Sequence, residues 1–134
     1  MLLWEMISHL KADFPYTGLV NMSAPVWQVF DLDQLIEKAH KGDVDYEEFL
    51  SVPTMSCGIY YLKAGSKDMQ GYHDEDELYV VLEGSGRLRV GQEDRAVKPG
   101  AVLFVRASED HAFFEIEEDM TMLVLFAAQA SGLH

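Results

Sequence analysis

Three side chains able to hold a metal ion occur in this sequence, two close together and one far along the chain. His73 and Glu77 are four apart at the mouth of the strand-like run GYHDEDELYVVLEG, and His111 opens HAFFEI after the apolar run AVLFV and an acidic turn. If the strand alternates from residue 73 onward, His73, Glu77 and Tyr79 share a face, and in a closed barrel that face is the interior. Two imidazoles and one carboxylate from neighbouring strands form a facial triad, which leaves coordination positions open for substrate or oxygen. Tyr79 has two readings: a phenol acting as acid, base or hydrogen-bond donor to a bound substrate, or an aromatic filling the barrel.

Such side chains need rigid elements to aim them, and the chain changes texture to supply them. From Pro53 to Ala128 it divides into TMSCGIYYLKAG, DELYVVLEG, GRLRVGQED, RAVKPG, AVLFVRASED, HAFFEIEED and TMLVLFAA. Short strands at regular spacing argue an antiparallel sandwich or barrel, because a parallel sheet needs intervening helices. Glu83-Gly84-Ser85-Gly86, Gly91-Gln92-Glu93-Asp94 and Pro99-Gly100 are expected to reverse the chain. From Met1 to about Leu50 the pattern is mostly helical: Leu3, Met6, Ile7 and Leu10 fall on one face, and Asp31 with Gln34 makes a capping box opening DLDQLIEKAHK. Val26 to Phe30 reads as a short extended piece, and Asn21 to Pro25 as a loop in which Met22 also has the look of a translation start. The expected organisation is a helical and extended region over 1–52, a barrel over 53–129 and a tail over 130–134.

The strand half resembles the cupin superfamily, in the small RmlC-like, single-domain microbial form. The first motif of that family reads G, five residues, H-x-H, three or four residues, E, six residues, G. Gly65, His73, Glu77 and Gly84 match it, with Gly71 where the first histidine stands. The second reads G, five residues, P-x-G, two residues, H, three residues, N. Gly100 and His111 match it, with Arg106, Ser108 and Glu115 in place of the proline, glycine and asparagine. The resemblance covers roughly Met55 to Ala128 and implies an all-β fold, an antiparallel β-barrel or jelly roll with N-terminal helical additions.

It further implies one divalent metal ion, iron, manganese, nickel or zinc, on His73, Glu77 and His111. Water or the Gln70 amide oxygen is then the fourth ligand beside Gly71. Affinity for the metal is expected to fall as pH drops through about 6.5, where imidazoles protonate. The activity implied is that of a metal-dependent enzyme, of dioxygenase, isomerase or lyase type, on a small organic acid or enol-like substrate. The alternative is a non-catalytic small-molecule-binding barrel with a degenerate metal site. Met55, Tyr61, Phe104, Phe113 and Met122 are candidates for an apolar lining. Arg106 at the rim would clamp a carboxylate or pair with Glu109 or Asp110.

Composition limits the partners. The 134 residues suffice for one domain, and 49% hydrophobic content is enough for a core. Ten Lys+Arg against 23 Asp+Glu give a formal net charge of −13, which repels nucleic acid and anionic membrane surfaces. The single cysteine, Cys57, cannot close a disulfide within the chain and reads as a buried thiol. Glu5 stands where a secretory signal carries positive charge, so a cytoplasmic location is expected. A homodimer is also expected, since the resemblance makes dimers common, with Trp4, Trp27 and Phe30 either anchoring the interface or buried on the chain's own barrel.

Overall fold

The computed structural model describes residues 25–42, 45–68 and 74–127. Asp31 begins the first element: its carboxylate accepts the Gln34 N–H at 2.9 Å and its carbonyl accepts the Leu35 N–H at 3.1 Å. These bonds satisfy donors that a helix start otherwise leaves open. Helix α1 (Leu32–Gly42) follows, with Ala39 buried where the helix meets the sheet. Among the described residues no helix is long and apolar enough to cross a membrane.

The chain then forms β1 (Tyr46–Val52), β2 (Met55–Leu62), β3 (Glu77–Val90), β4 (Glu93–Val97), β5 (Val102–Val105) and β6 (His111–Ala127). All pairings are antiparallel, in the order β1-β2-β6-β3-β4, with β5 also on β3. β1 arises where a helical texture was expected, and it pairs with β2 across the Pro53-Thr54 turn. Among the described residues Val26 to Phe30 pairs with no strand, and Val26, Trp27 and Val29 are 100%, 78% and 79% exposed, so Trp27 is not buried on its own barrel. Phe30 makes an edge contact with Phe49 at 4.9 Å between ring centres. The expectations placed on Leu3, Trp4, Met6, Ile7, Leu10, Met22 and the tail 130–134 lie outside the described residues.

Two stretches of the ladder depart from the expected turns. Glu83-Gly84-Ser85-Gly86 does not reverse the chain; β3 runs through it, and HAFFEIEED and TMLVLFAA are likewise one strand. The register between β3 and β6 slips at Val81/Glu83, Glu83/Ser85 and Ser85/Arg87. Bulges of this kind bend and twist a ladder without ending it. Gly84 sits at the bend with φ +84°, and a β-carbon there would collide with the Asp119 carbonyl. The expected reversals at Gly91-Gln92 and Pro99-Gly100 do form, with φ +59° at Gly91 and +93° at Gly100.

The bend carries the functional geometry. Glu77 pairs with Phe126 at one end of the β3–β6 ladder, and Val90 pairs with His111 at the other. The curvature brings these two ends together, and the pairing of Glu77 with Val105 on β5, shortly before His111, helps to hold them there. Tyr46, Tyr60, Tyr79, Val81, Phe113, Met120, Met122, Val124 and Phe126 are buried in one cluster on the inner side of the sheet.

Candidate metal centre in the barrel interior

Glu77 and His111 meet inside the barrel. His111 Nε2 lies 3.0 Å from Glu77 Oε1, and both side chains are wholly buried. The other ring nitrogen, Nδ1, is 3.0 Å from the Glu109 carbonyl and donates to it, since a carbonyl can only accept. That bond leaves Nε2 as the nitrogen facing the interior, the usual arrangement for a ligating histidine. Tyr79 Oη is 3.2 Å from the same Nε2, and its ring packs edge-on against Phe113 at 4.9 Å. Nε2 thus faces a carboxylate and a phenol at once. With the imidazole neutral, its lone pair is available to a metal or to the Tyr79 O–H; with the imidazole charged, it donates to Glu77.

Burial pulls the His111 pKa down, but the hydrogen bond and charge of Glu77, the Glu109 carbonyl and the charge of Asp68 together raise it above its usual 6.5. A folded-state pKa above the unfolded value gives stability that is complete below about 6.5 and is lost as pH rises through the raised value. Metal-free protein should therefore lose stability to urea as pH climbs from about 6 toward 9. A His111→Gln variant should lack this part of the slope. A slope of the same size in both proteins would show that the imidazole is not the group responsible. Metal affinity should run the opposite way, increasing with pH, because a proton and a metal compete for Nε2.

Not all of the expected ligand set can be placed. His73, Gly71 and Gln70 lie outside the described residues. Among the described residues no group of three or more His, Cys, Asp and Glu gathers at metal-binding distance. Glu77 and His111 nevertheless fit a divalent ion: one nitrogen and one carboxylate converge in a dry interior, and the second ring nitrogen is tied back to the chain.

The apolar candidates separate. Phe113 and Met122 are buried in the interior cluster. Met55 and Phe104 lie beside a pocket of about 390 Å³ at the rim, which Asp76, Glu77, Leu78 and Phe126 also line. Tyr61 points the other way. Strand alternation turns Tyr60 inward and Tyr61 outward, where its ring lies 4.3 Å from that of His40 and its hydroxyl donates to Asp119 at 3.2 Å. Arg106 is exposed and does not line the rim pocket, and no ion pair with Glu109 or Asp110 forms among the described residues.

Several site residues were not expected. Asp68 is buried, accepts the Tyr60 hydroxyl at 2.6 Å and accepts the Phe113 N–H at 3.1 Å. It thereby fixes the chain just before residue 69 to β6, two residues beyond His111. Burial and the neighbouring Asp68 push the Tyr60 phenol far above its usual range. Glu75, in the acidic run just before β3, is only 3% exposed. Its neighbour Asp76 accepts the Ala107 N–H at 2.9 Å and so ties the start of β3 to the segment after β5. Cys57 is buried as expected, and burial pushes its thiol up.

Comparison with known proteins agrees with this architecture. Residues 58–127 match the family described as Cupin domain. A relative described as an uncharacterized protein of Streptomyces coelicolor is 38% identical over 104 residues, which span 78% of this chain and 99% of the relative. The crystal structure of TT1209 from Thermus thermophilus superposes with a TM-score of 0.63 at 24% identity, covering 76% of this chain and 98% of that one. An RmlC-like cupin family protein with a double-stranded β-helix fold, from Methanocaldococcus jannaschii, superposes with a TM-score of 0.63 at 16% identity, covering 82% and 98%.

Proposed function

The chain belongs to the cupin superfamily as a small single-domain member, and from that premise we propose that it binds one divalent metal ion inside the barrel and acts there on a small molecule. The observation that carries the proposal is the buried meeting of Glu77 Oε1 with His111 Nε2 at 3.0 Å, with His111 Nδ1 anchored on Glu109. Glu77 and His111 are two of the protein ligands. His73 is the third, with Gln70 or water completing the set. Iron, manganese, nickel and zinc all suit such donors.

When bound, the metal supplies Lewis-acid activation, or an oxygen-binding centre if it is iron. The reaction class is that of a dioxygenase, isomerase or lyase on a small organic acid or enol-like substrate. The protein's own groups do the rest. Phe113, Met122 and Phe126 exclude water from the interior. The Tyr79 hydroxyl, 3.2 Å from His111 Nε2, can hold or pass a proton beside the metal ligand.

A second reading follows from the same distance. Glu77 and His111 are close enough to satisfy one another directly, which a non-catalytic binding module would also use. Calorimetric titration of chelator-treated protein with manganese at about pH 8 separates the two. Saturable binding near one ion per chain, abolished by Glu77→Gln, supports the metal centre. No binding at that pH supports the module. A homodimer remains part of the proposal, supported by the exposed apolar run at Val26, Trp27 and Val29.

A further inference from the structure

Tyr46 enters the interior from β1, a strand that takes no part in the metal centre. Its ring lies over Gly58 of β2, so closely that any β-carbon at residue 58 would collide with it. The residue is 4% exposed, and its phenol oxygen has no hydrogen-bond partner among the described residues. The same holds for Ser56 Oγ, on a residue that is 0% exposed. Ser56 and Glu77 flank Phe126 in one cross-strand row of the interior. Buried hydroxyls without partners are rare in native proteins and costly, so two on the interior face call for an occupant.

The surroundings define that occupant. Burial and the charges of Glu48, Cys57, Glu77 and Glu75 hold the Tyr46 phenol far above its usual range, so it stays an O–H donor. A donor needs an acceptor. The carboxylates around it disfavour a second negative charge and favour a neutral oxygen such as that of a ketone or enol. We propose that Tyr46, with Ser56 on the same face of β2, orients the ligand of this barrel, and that this ligand is a small neutral enol–carbonyl compound whose oxygen accepts from Tyr46 Oη. The inference rests on the ligand site proposed above and narrows its substrate class.

Maltol, a neutral enol–ketone, and oxalate, a dianion, serve as probes. Their dissociation constants are measured for wild type, Tyr46→Phe and Ser56→Ala, with metal content read on the same samples. Melting temperatures are taken on chelator-treated protein. Tyr46→Phe keeps the ring on Gly58, so it should melt no lower than wild type, keep its metal content and bind maltol about 10-fold more weakly, the loss of one hydrogen bond. Ser56→Ala should show a smaller loss in the same direction, and wild type should prefer maltol to oxalate. A melting temperature several degrees lower for Tyr46→Phe would give the phenol a structural partner and overturn the proposal. So would an unchanged maltol constant, a preference for oxalate, or maltol that fails to bind wild type at any metal content. Tyr46-dependent maltol binding in protein that takes up no metal would uphold the orienting role while overturning the metal centre.

Discussion

His111→Ala should destabilise the metal-free protein by about 3–5 kcal/mol, more than most single substitutions. The imidazole faces Glu77 with both side chains wholly buried, so its removal leaves the carboxylate in a dry interior without the His111 nitrogen beside it. The cost comes from that poorly compensated charge and much less from the lost attraction. Replacing both groups by apolar side chains of similar volume, Glu77→Met with His111→Leu, should therefore cost less than His111→Ala alone. Urea unfolding of chelator-treated wild type, Glu77→Met, His111→Leu and the double variant at about pH 6 measures the cycle. Two single costs that simply add in the double variant would contradict a coupled pair. Metal binding responds differently: both the single and the double variant should lose at least about 100-fold in affinity, beyond the 10–100-fold typical of losing a group that only supports a ligand.

The second large effect is expected at Gly84. The residue has φ +84°, and a β-carbon there would run into the carbonyl of Asp119 and the backbone of Met120. Neither obstacle is the flexible end of a side chain, so β3 and β6 would have to separate where the ladder bends. Gly84→Ala should cost about 3 kcal/mol or more. Gly100 provides the control, with φ +93° but open space around the missing β-carbon. Gly100→Ala should cost about 1–2 kcal/mol, the backbone penalty alone. The bend also brings Glu77 to His111 from opposite ends of the ladder, so Gly84→Ala should weaken metal binding while Gly100→Ala leaves it unchanged. Equal unfolding midpoints for the two variants would show that the close approach at Gly84 adds no cost.

How far the sequence revealed this site depends on the kind of signal each residue leaves. Glu77 and Tyr79 were legible because strand alternation has a fixed period, and both are buried in the interior as that period requires. His111 was legible through its register with Gly100 in the second motif, and the fold class followed from strand spacing and turns. Tyr61 was misplaced for want of a phase: without knowing that Tyr60 points inward, either neighbour could line the barrel. The Glu83–Gly86 stretch was misread because a glycine-rich bulge and a reversal have the same composition. Only the partner strand decides between them, and β6 continues past the bend.

Asp68, Tyr46 and Glu75 left little trace. Asp68 stands in the turn-like stretch GSKDMQG, and its burial depends on Tyr60 and on the Phe113 N–H 45 residues away. Tyr46 belongs to a short strand that sequence texture joined to the preceding helix. Ser108 shows that a motif position can change residue and keep its backbone: it replaces the motif glycine yet adopts φ +70°. The register of the second motif survives there because the backbone still turns as a glycine would.

The most direct measurement is elemental analysis by plasma mass spectrometry on untagged protein purified without chelator, beside a Glu77→Gln/His111→Ala variant that circular dichroism shows to be folded. Near-stoichiometric iron, manganese, nickel or zinc is expected in the wild type and none in the variant. Absence of metal from the wild type, persisting after reconstitution at about pH 8, or equal metal in both proteins would contradict a metal centre built on Glu77 and His111.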